Sequence, residues 1–521
     1  MSPTYQNPIL PGFYPDPSIC RVEDDYYLIT STFEYFPGLP IFHSRDLVNW
    51  QQIGHVLDRP SQLPLDGIRP SGGLYAPTIR FHDGTFYVIN TLIDGQEQQG
   101  NFIVTATNPA GPWSEPYWLD NAPGIDPSLF FDDDGRAWYV GNRMNPNAKY
   151  FGDTEIWLQE LNLQTMQLMG EKYFLWRGAM RQARWAEAPH IYKINGRYYL
   201  MIAEGGTGHE HSVTIARADA ITGPYEGNLR NPILTHRHLG LDYPIVGTGH
   251  GDLVETQNGE WWMVLLAMRP VGGYFHNLGR ETFLAPVVWE DGWPLVAPSV
   301  GKVLFSGDGP NLPTQRWPQV PTCDHFESSS LDFAWNFIRT PREPFYALTE
   351  RPNFLRLYLR PETLMEWVNP SFVGRRQQYI NFTARTAMEF TPQTANECAG
   401  IALLQNDAFH IRCTVTLQDD DLVVQLIRRE AGEDVLLQET AVSAGRLYFK
   451  VDVTGQAYSF YVANQLEDWI ALDGAVDGRI LSTNLAGGFT GAYLGMYASS
   501  NGHQSSNHAD FDWFEILPRG K

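Results

Sequence analysis

The sequence predicts an all-β protein, a five-bladed β-propeller followed by a β-sandwich. Three observations carry the propeller. A short motif returns five times: Asp16-Pro17-Ser18-Ile19, Ala76-Pro77-Thr78-Ile79, Asp126-Pro127-Ser128-Leu129, Ala188-Pro189-His190-Ile191 and His250-Gly251-Asp252-Leu253. Each return is followed by an aromatic, β-branched run such as Tyr26-Tyr27-Leu28-Ile29-Thr30 or Trp261-Trp262-Met263-Val264-Leu265. The repeats stand roughly 50 to 60 residues apart, the length of a four-stranded blade with decorated loops.

Taken in order, each repeat opens a blade. Asp83-Gly84, Asp134-Gly135, Asn195-Gly196 and Asn258-Gly259 precede four of the runs and read as hairpin turns of type I′. The first strand of a propeller blade lines the axis, so Asp16, Ala76, Asp126, Ala188 and His250 are expected around one ring at the funnel rim. A proline after the ring residue is expected to leave that residue extended and to start the strand without a ladder N–H. The aromatics closing the short turns, Trp50, Trp113 and Tyr225, are expected to pack between blades.

The texture changes after the fifth blade. Gly307-Asp308-Gly309-Pro310 and Pro318-Gln319-Val320-Pro321 read as a crossing between domains. Beyond it, Leu422-Val423-Val424-Gln425-Leu426-Ile427, Leu447 to Val453, Tyr458 to Val462 and Asp510 to Ile516 alternate at the strand period. Many strands without helical periodicity imply a sandwich. The expected division is a propeller over 1–310, a linker over 311–323 and a sandwich over 324–521.

Composition narrows the function. A chain of 521 residues exceeds one comfortable core, and an aromatic content of 13% with 18% charged residues belongs to a well-packed globular protein. The formal net charge of −22 argues against nucleic acid or an anionic membrane as partner, and leaves neutral ligands. The four cysteines, Cys20, Cys323, Cys398 and Cys413, lack C-x-x-C spacing and read as free thiols. The first residues carry neither a basic segment nor an apolar run, so cytoplasmic residence is the default expectation. The oligomeric state is left open, a homo-oligomer included.

Three acids fall on or beside the ring: Asp16, Asp126 and Glu187, the last one residue before Ala188. Like charges close together resist simultaneous ionisation, and the propeller core does not need them, since Ala76 and Ala188 fill equivalent places. Alone, an Asp before Pro-Ser is also an ordinary Asx turn. Two identical Asp-Pro-Ser tripeptides in equivalent repeats, with a glutamate in a third, point instead to the acid and base of glycoside hydrolysis.

The segments Tyr14-Pro15-Asp16-Pro17-Ser18, Gly73-Leu74-Tyr75-Ala76-Pro77-Thr78, Gly124-Ile125-Asp126-Pro127-Ser128 and Glu187-Ala188-Pro189-His190-Ile191-Tyr192 resemble those of glycoside hydrolase family 43, in its exo-acting β-xylosidase and α-L-arabinofuranosidase branch. The C-terminal His508-Ala509-Asp510-Phe511-Asp512-Trp513-Phe514 resembles the accessory sandwich of the same branch, which implies a concanavalin-like jelly roll. The resemblance implies an inverting mechanism in which Asp16 is the general base, Glu187 the general acid and Asp126 the residue that orients the acid and raises its pKa. It further implies a terminal-sugar pocket lined by Phe33, Tyr75, Ala76, Thr207, His250 and Arg280, closed by Phe489 from the sandwich. No cofactor is expected for the chemistry, while a mostly hydrated calcium is expected beside His250, near the axis. Tyr75 stands where many of these β-xylosidases carry tryptophan, and Ala188 where many carry glycine, so the choice between xylose and arabinose is not fixed, nor are the linkage and the positive subsites. Two alternatives remain: a retaining propeller-sandwich fructosidase, whose acid lies in a Glu-Cys-Pro context rather than Glu187-Ala188-Pro189, and a carbohydrate-binding propeller without chemistry.

Overall fold

The computed structural model describes residues 3–318 and 320–520, and among them helix is confined to Thr483–Ala486 and two 3₁₀ turns, Arg237–Leu239 and Gly478–Leu481. Five antiparallel sheets follow one another along the first part of the chain. Their first strands are Ser18–Val22, Thr78–His82, Ser128–Phe131, Glu187–Ile194 and Val246–Glu255, the first three beginning at the third residue of the repeated motif and the last two just before it. Ser18–Val22 touches Thr78–His82, which touches Ser128–Phe131, which touches Glu187–Ile194; Val246–Glu255 closes the ring, touching Ser18–Val22 on one side and blade four's Arg197–Glu204 and Ser212–Ala218 on the other. The first strands therefore surround the axis as the repeat predicts.

A buried polar network holds these inner strands together. Asp252 Oδ2 accepts from Ser18 Oγ at 2.8 Å, the Ile19 N–H at 3.1 Å and Arg80 Nη1 at 2.9 Å, while its Oδ1 accepts from Tyr192 Oη at 2.6 Å. Arg80 Nη2 also reaches His190 Nδ1 at 2.8 Å. Four blades thus meet on one fully buried carboxylate. Burial pushes Asp252 up, but Arg80 and its other donors outweigh that and hold it far below the usual carboxylate range.

Two local expectations are corrected. The pairs Asp83-Gly84 and Asn195-Gly196 have positive φ at both residues, as type I′ requires, but at Asp134-Gly135 and Asn258-Gly259 only the glycine does. There the loops are longer: Asp132 N–H donates to Arg136 O and Gly135 N–H to Asp132 O, and Thr256 to Glu260 repeats the pattern. That is a type I turn with a left-handed glycine, which the dipeptide alone does not distinguish. Four of the five ring residues, all but Ala76, are not extended either. Asp16, Asp126, Ala188 and His250 have φ of 54°, 52°, 49° and 47°. A following proline limits the right-handed helical region but does not choose the sign of φ, and His250, followed by Gly251, shares the conformation. It belongs to the blade entry, at a cost of about 1–3 kcal/mol per residue.

From Cys323 onward the chain forms an eight-stranded and a six-stranded antiparallel sheet, and the four alternating stretches lie in Asp421–Glu430, Arg446–Thr454, Ala457–Ala463 and His508–Pro518. The two parts share a core. One apolar cluster joins Ile29, Leu57 and Phe102 of the blades to Phe337, Leu355 and Val451 of the sandwich. Phe337–Ile338 pairs with Tyr35–Phe36, and Tyr35 stacks on Tyr493 at 3.9 Å. The crossing segment is itself pinned to blade one, with Gln315 N–H on Asp46 Oδ2 at 2.9 Å and Trp317 Nε1 on Asn49 O at 3.2 Å. All four cysteines are free.

Candidate active site

A cavity of about 280 Å³ opens at the rim of the axis. It is at the small end for ligand sites and suits one sugar unit. All ten residues singled out from the sequence line it: Asp16, Phe33, Tyr75, Ala76, Asp126, Glu187, Thr207, His250, Arg280 and Phe489. Four other hollows are larger: two of about 480 and 590 Å³ lie toward the crossing segment, one of about 690 Å³ is lined by Glu255 and Trp289, and one of about 620 Å³ by Glu389 and Asp510. In the first two, Asp324, Glu327 and Asp332 keep access to solvent, and Asp324 already accepts from Trp335 Nε1 at 2.8 Å. The buried Asp510 of the last is neutralised by Arg351 and Arg356, and among these hollows the small one alone brings three carboxyls of the inner strands together, so chemistry rather than size selects it.

The blade entries aim the acids. Gly124, at φ 95°, lies so close to blade three's second strand that a Cβ there would stand 1.7 Å from Asn142 O. The next residue, Ile125, donates its N–H to Asn142 Oδ1 at 2.9 Å, which fixes the approach to Asp126. Asp16 is 3% exposed and Asp126 8%. Glu187, at the start of its strand, keeps a solvent-facing part.

Their surroundings push these carboxyls in opposite directions. Asp16 accepts from Arg280 Nη1 on one oxygen and from Ser31 Oγ on the other, and His250 Nδ1 lies 3.8 Å away. Burial pushes Asp16 up, but the Arg280 charge, His250 and the two hydrogen bonds together hold it below the ordinary value. Among the described residues Asp126 has no cation in contact: burial, then the Asp16 charge, pushes it up to about 8, against Arg280 and a hydrogen bond from the Ala76 N–H. Burial, then Asp126 and Asp16, pushes Glu187 well above its usual range. Near neutral pH the trio therefore holds an ionised Asp16 facing carboxyls that retain a proton, the division acid–base catalysis requires. His250 is pushed down by burial and stays a neutral imidazole.

An aromatic wall faces the acids. Phe33 lies 5.2 Å from Tyr75 and 6.0 Å from Phe489, and Arg280 sits over Phe33 at 5.4 Å and Phe489 at 5.9 Å. Arg280 also donates to Thr207 Oγ1 at 3.4 Å. Apolar faces with a few donors at their edge are what a sugar ring needs.

Five further lining residues were not singled out from the sequence: Ile125, Trp185, Gly206, His211 and Leu266. Trp185 precedes Glu187 by two residues, so strand alternation would have put it on the same face, although its φ of 59° shows that it lies outside the strand. His211 is buried, with Nδ1 3.1 Å from Gly247 O, and nothing local marks it. Ile125 is the one omission written inside a motif already quoted.

A propeller whose axial pocket sets one ionised carboxylate against proton-holding ones is a glycoside hydrolase. The chain belongs to the glycosyl hydrolases family 43, whose family model matches residues 5–294. Residues 323–517 match the beta xylosidase C-terminal concanavalin A-like domain. The chain is 48% identical over 516 residues to a xylosidase/arabinosidase of Butyrivibrio fibrisolvens, covering 98% of each. It is 42% identical to a non-reducing end alpha-L-arabinofuranosidase of Bacteroides ovatus, over 98% of this chain and 94% of that one. Among solved structures, a Bacteroides ovatus family 43 protein from a xyloglucan locus superposes with a TM-score of 0.93 at 42% identity, covering 99% of this chain and all of that one. A xylan beta-1,4-xylosidase from Bacillus halodurans gives 0.93 at 37% identity, covering 98% and all.

Proposed function

We propose that this protein is an inverting exo-glycosidase that releases β-D-xylose, α-L-arabinofuranose or both from the non-reducing ends or side chains of xylo-oligosaccharides. The observation that carries the proposal is the opposed protonation of Asp16 and Glu187 across one sugar-sized pocket. The names of the relatives, a xylosidase/arabinosidase and an arabinofuranosidase, support the two pentoses.

In this reading Asp16 takes a proton from water as the water oxygen attacks the anomeric carbon. Glu187 gives its proton to the departing glycosidic oxygen as that bond breaks, so the configuration inverts. Asp126, which ionises only around pH 8, then raises the pKa of Glu187 through its charge and keeps the acid loaded on the alkaline side. Arg280 keeps Asp16 ionised and, with Thr207 and His250, meets the sugar hydroxyls, while Phe33, Tyr75, Ala76 and Phe489 enclose its apolar faces. The division of labour follows the expected domains, a catalytic propeller over 1–310 and an accessory sandwich from 324 that supplies Phe489.

A calcium beside His250 would have that imidazole as its one side-chain ligand and would take water for the rest. Among the described residues no group of three or more His, Cys, Asp or Glu is placed to hold an ion. The neighbouring Asp16 is engaged by Arg280 and Ser31, so these side chains do not build the oxygen cage a hard cation prefers. No step passes through the ion.

Proton NMR on xylobiose and on an arabinofuranosyl xylo-oligosaccharide tests the proposal. Release of α-xylose from the β-linked substrate is expected, and the relative rates rank the two sugars. Release with retained configuration would make Asp16 a nucleophile, and no release from either substrate would leave a binding propeller.

A further inference from the structure

Glu34 is a buried acid one residue after pocket-lining Phe33, and the chemistry above does not use it. Its Oε2 accepts the N–H of Ser71 at 3.0 Å. Ser71 is also buried, has φ 59°, and directs its hydroxyl at the sandwich, where Oγ accepts the N–H of Phe489 at 2.8 Å. The fit is close on both sides. Gly488, at φ 79°, passes Ser71 so tightly that a Cβ there would stand 2.3 Å from Oγ.

The rest of this sandwich segment is tied down elsewhere. Asn484 Oδ1 accepts the His276 N–H at 2.9 Å, and Ala492 donates its N–H to Asn277 O at 2.8 Å. Both of those anchors lie in blade five. Between them Phe489 remains 37% exposed, and stands on Phe33 and Tyr75 over the cavity. Its backbone is held from the opposite side of the mouth by Ser71.

We propose that Ser71, itself held by Glu34, is the positioning residue that locks Phe489 across the pocket mouth and so confines the pocket to a terminal sugar. A half-exposed ring at the end of a loop loses rotational and backbone freedom only where something grips it. Here the grip is one hydrogen bond from the first domain to the residue that closes its own pocket. The inference rests on the function proposed above for its kinetic consequence, and on the contacts alone for its structural one.

The test has two arms. In hydrogen–deuterium exchange, Ser71→Ala is expected to speed exchange in the peptide containing 487–490 and to leave the segment around Asn484 unchanged. In kinetics on nitrophenyl β-D-xyloside and xylobiose, the same variant is expected to raise KM about three- to tenfold, the worth of one lost hydrogen bond, with kcat kept within about twofold. Glu34→Ala is expected to repeat both effects. Glu34→Gln, which keeps an acceptor oxygen for the Ser71 N–H, is expected to restore them. Adding Ser71→Ala to Phe489→Ala is expected to cost nothing more, because the two act through one ring. Unchanged exchange at 487–490 in Ser71→Ala, or KM effects that multiply in the double variant, would overturn the proposal. If the wild-type protein hydrolyses neither substrate, the function reading falls, while the exchange arm still decides the clamp.

Discussion

Replacing Arg280 with methionine tests the electrostatics of the pocket most directly. The change keeps an apolar stem against Phe33 and Phe489 but removes the guanidinium that donates to Asp16. Asp16 is 3% exposed, so water cannot take over the lost contact. Breaking a buried pair by removing one partner costs about 3–5 kcal/mol while the remaining charge persists, and the group can limit that loss only by binding a proton. The sign follows from the wild-type direction. Asp16 lies below its unfolded value, so it contributes stability above the unfolded pKa, and that stability is lost as pH falls through the folded one. Without Arg280, burial is opposed only by Ser31 and His250, and ionised Asp16 becomes a burden that grows as pH rises. Urea unfolding should therefore show wild type and Arg280→Met furthest apart at neutral pH and converging only as the pH falls below 3.8. If Asp16 is the base, the acid limb of kcat/KM on nitrophenyl β-D-xyloside moves to higher pH. A base kept protonated is a base removed, so the loss below that limb is bounded at about 10²- to 10⁴-fold. An acid limb that stays in place, or a stability gap that does not depend on pH, would refute the coupling of Arg280 to Asp16.

Asp16→Asn and Glu187→Gln should each abolish turnover while xylose binding by calorimetry persists; near wild-type turnover in either would contradict its assigned role. In Asp126→Asn the charge that lifts Glu187 is gone, so the basic limb of the kcat/KM profile should move to lower pH, and a shift the other way would deny Asp126 that part. Arg80→Met breaks the buried pair with Asp252 on the inner strands, away from the lining residues. It should lower stability by about 3–5 kcal/mol in urea titration and leave both limbs of the pH profile where they are.

The blade entries were legible because they repeat. Every blade must start an inner strand at the axis, and one proline-bearing motif does so in four of the five, so equivalence in the sequence became equivalence in space. The acids were legible because Ala76 and Ala188 show what the ring holds when no charge is wanted there. Two of the hairpin turns were misread, since Asp-Gly and Asn-Gly serve both a two-residue turn and a longer loop ending on a left-handed glycine. The left-handed backbone at Asp16, Asp126 and Ala188 was hidden by the following proline, which constrains one region of backbone space without choosing the other.

By itself the sequence determined the architecture, the three acids on one ring and the residues around them, because strand period, turn chemistry and a repeated motif are local and survive in one dimension. Only the tertiary structure decided which acid is ionised, because the carboxyl pKa values depend on burial and on charges brought from other blades: Arg280 stands 264 residues from Asp16 in the chain. It also decided how the pocket is shut, since Ser71 and Phe489 are 418 residues apart and meet only when the sandwich docks on the propeller. A hydrogen bond across that separation leaves no period or spacing behind it, and no stretch of sequence short of the folded whole contains it.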